Sequence, residues 1–147
     1  MRRESGRALI GVDLVKDSAV LEAAYNDAAG VTAAFTLNLL ERINRELDAD
    51  FVLENFSHRA RFDAVAERIQ TDIVSRVAQR VHVAGCRFEF AAGEPMQVEI
   101  SCKYTKESFG RLAARAGWQI AQEWTDPAAH FGLYLLVPEQ AASSAAD

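Results

Sequence analysis

The sequence predicts a mixed α/β fold, and three observations carry that expectation. An apolar run at residues 8–13 ends on a carboxylate, residues 17–47 follow a helical period, and from about His58 the period becomes that of short strands separated by turns.

Ala8-Leu9-Ile10-Gly11-Val12-Asp13 is nearly continuous in apolar residues, the pattern of a buried parallel strand with a polar group at its C-terminal end. Open α/β sheets bind ligands at such ends. Asp17-Ser18 can cap a helix through Val20, Leu21, Ala24 and Tyr25, because a short polar side chain accepts the N–H groups a first turn leaves unpaired; this helix stops near Asn26-Asp27. A longer helix runs from about Gly30 to Leu47. Its apolar positions Val31, Phe35, Leu39, Leu40, Ile43 and Leu47 recur at three- and four-residue intervals, while Glu41, Arg42, Arg45 and Glu46 fill the other face.

After His58, Ile69, Ile73, Val81, Val83, Phe88, Phe90, Val98 and Ile100 sit in short runs alternating with polar residues, with turns at Ala84-Gly85 and Ala92-Gly93-Glu94-Pro95. Thr105 then caps a helix whose buried side is Phe109, Leu112, Ala113 and Ala116, and Gly117 suits the position just past its end. Closing strands are expected around Gln119 to Thr125 and His130 to Val137, followed by an Ala/Ser-rich, disordered tail at 139–147. This order is not a repeat of βαβ units, and its first strand lacks an obvious neighbour. The chain has the look of one cut from something larger.

Composition narrows the function classes. With 147 residues, half of them hydrophobic, there is enough chain for one sizeable core. The 16 Lys and Arg against 21 Asp and Glu leave a net charge of −5 with no basic face, which argues against nucleic acid and anionic membrane as partners. The N-terminal Arg2, Arg3 and Arg7 are interrupted by Glu4 and lead into no long apolar run, so a cleaved signal is not expected, and nothing approaches the roughly 20 apolar residues of a membrane-spanning helix. Cys86 and Cys102 have neither metal-ligand spacing nor the density of a disulfide framework, so a reducing cytoplasm fits best. His58, His82 and His130 are scattered and read as strand or loop residues rather than metal ligands. With no coiled-coil seam, the default is a monomer.

Generic catalytic patterns are missing. There is no G-x-S-x-G, H-E-x-x-H or G-x-G turn, and the P-loop-like spacing of Gly6 and Gly11 is followed by Val12-Asp13 where Lys and Ser/Thr would be required. Two stretches are more specific. Tyr25-Asn26-Asp27-Ala28-Ala29-Gly30-Val31-Thr32 puts a phenol, polar side chains and a glycine at a helix-to-helix junction, and could be no more than a capped turn. In Gln97-Val98-Glu99-Ile100-Ser101-Cys102-Lys103, alternation puts Glu99, Ser101 and Lys103 on one face and Val98, Ile100 and Cys102 on the other, which could be no more than a solvent face over an apolar one.

These two stretches, with Gly11 to Asp17, Ile43-Asn44-Arg45-Glu46-Leu47, Ala49-Asp50-Phe51, Glu67-Arg68-Ile69, Ala92-Gly93-Glu94, Ala116-Gly117-Trp118 and Trp124-Thr125-Asp126-Pro127, resemble consecutive blocks of the L-histidine Nα-methyltransferases of ergothioneine biosynthesis. The resemblance covers almost the whole chain in order. It implies the C-terminal part of a Rossmann-like class I methyltransferase fold with an inserted strand-rich substrate-binding subdomain. Residues 1–30 would be a late strand and helix of the nucleotide-binding sheet, and 31–138 the substrate-binding region with its closing strands.

It further implies S-adenosylmethionine as cofactor and L-histidine as substrate, methylated at its α-amino group to hercynine. Tyr25 would bind the substrate carboxylate, Thr32 line the pocket, and Glu99 and Ser101 hold the imidazole, whose two ring nitrogens need partners that a carboxylate and a hydroxyl can provide. No catalytic base is assigned. The sequence departs from the family at Thr71, where a methionine usually packs beside the ring, and at Thr36, where asparagine is common. The family's glycine-rich cofactor loop and acidic ribose ligand have no counterpart here, so no residue is assigned to the cofactor. The expectation is a truncated product, or one half of a split enzyme whose partner is a separate N-terminal half. A methyltransferase for another amino acid or indole amine, and a non-catalytic remnant, are the alternatives.

Overall fold

A computed structural model describes residues 6–139, which form two compact units. One contains the chain up to Lys16 and from Cys102 onward; the other is Asp17–Ser101. The expected tail lies outside the described residues, apart from Glu139.

In the first unit, strands β1 (Ala8–Asp13), β7 (Trp118–Thr125) and β8 (Phe131–Pro138) make a sheet of order β1-β8-β7, beside helix α3 (Lys106–Arg115). Strand β1 is antiparallel to β8, with Ala8 opposite Leu136 and Asp13 opposite Phe131, and its parallel contact is a single bridge from Leu14 to Tyr104. This corrects the reading of a buried parallel strand. A short apolar run reports strand character but not the direction of its neighbour, which here is supplied from the far end of the chain. Leu9 and Ile10 are exposed, whereas Val12 and Leu14 join Phe109, Ala113, Tyr134 and Leu136 in the core. Helix α3 begins as expected, on a capping box in which Thr105 accepts the Ser108 N–H and Ser108 accepts the Thr105 N–H. Leu112, however, is exposed.

The second unit opens with α1 (Ser18–Tyr25), capped by Asp17, and α2 (Val31–Leu47). A 3-10 turn at Leu53–Asn55 leads into β2 (Phe56–Asp63), β3 (Arg68–Ser75) and the hairpin β4 (Gln79–Val83) and β5 (Cys86–Phe90), and then β6 (Pro95–Cys102) runs to the border with the first unit. The sheet order is β2-β3-β6. Phe56, Ile73, Val81, Phe51 and Leu40 form one core cluster; Leu21, Ala60 and Ile69 form another, with Tyr25 and Phe62 against it.

The apolar stripe of α2 is only partly used. Leu40 is fully buried and Thr36 nearly so, but Val31 is 68% exposed and Phe35 73%, with Leu39 and Leu47 also exposed. No helix among the described residues is long and apolar enough to cross a membrane.

Candidate functional site

Helix α1 is only eight residues long, and its last residue is Tyr25. A phenol at a helix end can reach across to a neighbouring strand, and here its hydroxyl donates to Ser101 Oγ on β6 at 2.7 Å. Two residues 76 positions apart in sequence are thereby joined. The junction that follows is built by Asp27, whose carboxylate accepts the N–H groups of Val31 and Thr32 at 2.8 and 2.9 Å. Gly30, at φ +71°, turns the chain in a left-handed conformation that a side chain would strain, and it offers no capping group of its own, so Asp27 serves in its place. The Thr32 N–H and hydroxyl, then the Val31 N–H, lower the Asp27 carboxyl from 3.8 to about 2. Thr32 is thus half-buried in the first turn of α2, against Asp27. One turn on, the Thr36 hydroxyl donates to the Thr32 carbonyl at 3.0 Å.

Glu99 is exposed on β6 and borders a groove of about 250 Å³ whose other walls are Phe35, Thr36, Asn38, Leu39, Arg42 and Val98. Burial along β6 does not keep a single phase. The more covered positions are Met96 and Val98, then Ser101 and Lys103, so the phase changes between Val98 and Ser101. Ile100 and Cys102, expected on an apolar core face, are exposed. Alternation is a local rule, and the strand has left the second unit's core by Ile100.

Thr71 is fully buried in the middle of β3, opposite Ala60 and between Ile69 and Ile73. Of the five residues singled out from the sequence, then, the structure bonds Tyr25 to Ser101, seats Thr32 on the junction that follows Tyr25, opens Glu99 to a groove and encloses Thr71. Sequence reasoning passed over His58, whose Nε2 lies 2.8 Å from the Tyr25 carbonyl.

At the end of β1, burial alone would raise the Asp13 carboxyl, but the hydrogen bonds and charges of Lys16 and Lys103 outweigh it and hold the group below its usual range. A carboxylate held between two lysines is not disposed to accept ribose hydroxyls, and no glycine-rich turn follows the strand. These residues do not fit the nucleotide-sulfonium cofactor that the resemblance implies.

A family described as histidine-specific, SAM-dependent methyltransferases matches residues 1–138. Two histidine N-alpha-methyltransferases are similar: that of Mycolicibacterium smegmatis is 50% identical over 131 residues, and that of Mycobacterium tuberculosis 44% over 135. The alignments cover 88% and 90% of this chain but 41% and 42% of those proteins. Ergothioneine biosynthesis protein 1 of Neurospora crassa is 32% identical over 136 residues, 15% of its length. The chain spans about two fifths of the two bacterial relatives.

Proposed function

Because the chain belongs to the histidine-specific, SAM-dependent methyltransferase family, we propose that it is the substrate-holding part of an enzyme that methylates the α-amino group of L-histidine to hercynine. The observation that carries this reading is the Tyr25–Ser101 hydrogen bond, which joins the two most specific sequence blocks in one place. On this reading Tyr25 binds the carboxylate of the amino acid and Thr32 lines the space beside it. Glu99 and Ser101 pair with the imidazole nitrogens, and Thr71 supports the pocket from the interior of β3. A site built to pair both ring nitrogens rejects side chains without them, since its own polar groups would be left unsatisfied.

The whole is proposed to be a cytoplasmic enzyme with a Rossmann-like fold in which the strand-rich 31–138 region is an insertion with closing strands. Its methyl group comes from S-adenosylmethionine, held by residues outside this chain. The contribution derived for this chain is orientation: an amino acid gripped at its carboxylate and at its ring presents its amine in one direction.

Supplying the family's upstream segment, fused or as a separate chain, and assaying methylation of histidine against tryptophan tests the reading. Methylation of histidine is expected. Preference for tryptophan would favour the second reading, an indole amine, to which the small buried Thr71 lends support; no methylation of either would favour a remnant.

A further inference from the structure

Helix α1 has no basic residue in its last turn, so the carbonyls at its C-terminal end need donors from elsewhere. Asn26 supplies the Glu22 carbonyl, strand β2 supplies one donor to the Tyr25 carbonyl, and the edge of β2 bonds to side chains from the helix end. As the outer strand of β2-β3-β6, β2 has one free edge, and side chains of α1 occupy it. Glu22 Oε1 accepts the Phe62 N–H at 2.9 Å, Asn26 Oδ1 accepts the Ala60 N–H at 3.1 Å, and Asn26 Nδ2 donates to the Ala60 carbonyl at 3.0 Å. These three bonds hold the helix to the strand, but none of them touches Tyr25.

His58 does reach Tyr25. Its Nε2 lies 2.8 Å from the Tyr25 carbonyl, and a carbonyl can only accept, so Nε2 carries a proton and donates it. Nδ1 is buried and has no hydrogen-bond partner among the described residues. A buried nitrogen left unpaired is a cost that an apolar residue here would avoid, which calls for a reason why an imidazole occupies the position.

We propose that His58 is a positioning residue for Tyr25, holding the helix end from which the phenol reaches Ser101. The proposal depends on the functional reading above, in which that phenol grips the substrate carboxylate. Loss of the His58 bond leaves the Tyr25 carbonyl without that donor and shifts the phenol, while the Glu22 and Asn26 attachments keep the helix on the strand. The effect therefore falls on binding of the amino acid rather than on folding or on the cofactor.

Kinetics of the enzyme completed by the family's upstream segment test this. His58→Leu is expected to raise KM for histidine about tenfold or more, a sub-ångström misplacement of a binding group being enough, with kcat, the KM for the cofactor and the thermal midpoint changing far less. His58→Gln, which returns an N–H near the Nε2 position, is expected to restore the KM. Should His58→Leu fail to fold, His58→Asn, whose shorter amide stays polar but does not reach the carbonyl, is expected to show the same raised KM. An unchanged histidine KM overturns the proposal, as does a loss shared by both substrates, with a lowered midpoint, that glutamine does not rescue.

If the wild-type enzyme does not methylate histidine, the functional reading falls instead. Positioning is then read by NMR on the 147-residue chain. Tyr25 ring resonances that move in His58→Leu and return in His58→Gln support it, and resonances unmoved in His58→Leu overturn it.

Discussion

Tyr25 and Asp27 show how much a single side chain decides in this chain. Removing the hydroxyl in Tyr25→Phe deletes the bond to Ser101 and is expected to cost about 1 kcal/mol in urea unfolding, the net value of one partly buried hydrogen bond, while raising the histidine KM of the completed enzyme. Asp27 has its folded pKa depressed from 3.8 to about 2 by donors from Thr32 and Val31. Its contribution to α2 is therefore fully present above pH 3.8 and is lost as pH falls toward about 2. An NMR titration of its carboxyl carbon should show a midpoint near the lower value, and Asp27→Asn should remove that pH dependence. The Tyr25 to Thr32 block could be read from sequence because its turn chemistry is local: a helix stop, an aspartate and a glycine. His58 could not, since its role depends on which helix end packs over its strand.

At the scale of elements, caps and turns were the most readable features and burial the least. Thr105→Ala should destabilise the first unit by about 1 kcal/mol in denaturant melts, the usual value of an N-cap. The stripe of α2 was equally clear as a helical period, yet Val31, Phe35, Leu39 and Leu47 are exposed, because periodicity reports a face and not what covers it. Two glycines of the β1–β8 ladder offer a sharper comparison. A Cβ on Gly132 would lie 2.7 Å from the buried Tyr134 ring, and one on Gly11 would lie 2.6 Å from the Phe131 ring, which is half-exposed and able to swing away. Gly132→Ala should therefore cost about 1–3 kcal/mol and Gly11→Ala clearly less, as judged by thermal unfolding.

For the molecule as a whole, the two units are interleaved in sequence, one being closed by segments from both sides of the other. The Asp13 environment and the lack of a glycine-rich turn lead to a direct prediction: calorimetry on the 147-residue chain should show S-adenosylmethionine binding weaker than micromolar. Micromolar binding would show that these residues form a cofactor site after all.

The mixed α/β class, the helix caps at Asp17 and Thr105, the turns at Gly85 and Gly93, and the family blocks were all legible in the residues, since each depends on neighbours a few positions apart. Three outcomes came from the fold: β1 pairs antiparallel with β8, the burial of β6 shifts phase between Val98 and Ser101, and His58 reaches the carbonyl of the residue whose hydroxyl meets Ser101. Those outcomes depend on long-range pairing, which is chosen by the fit of whole elements and leaves no periodic trace in the segments themselves.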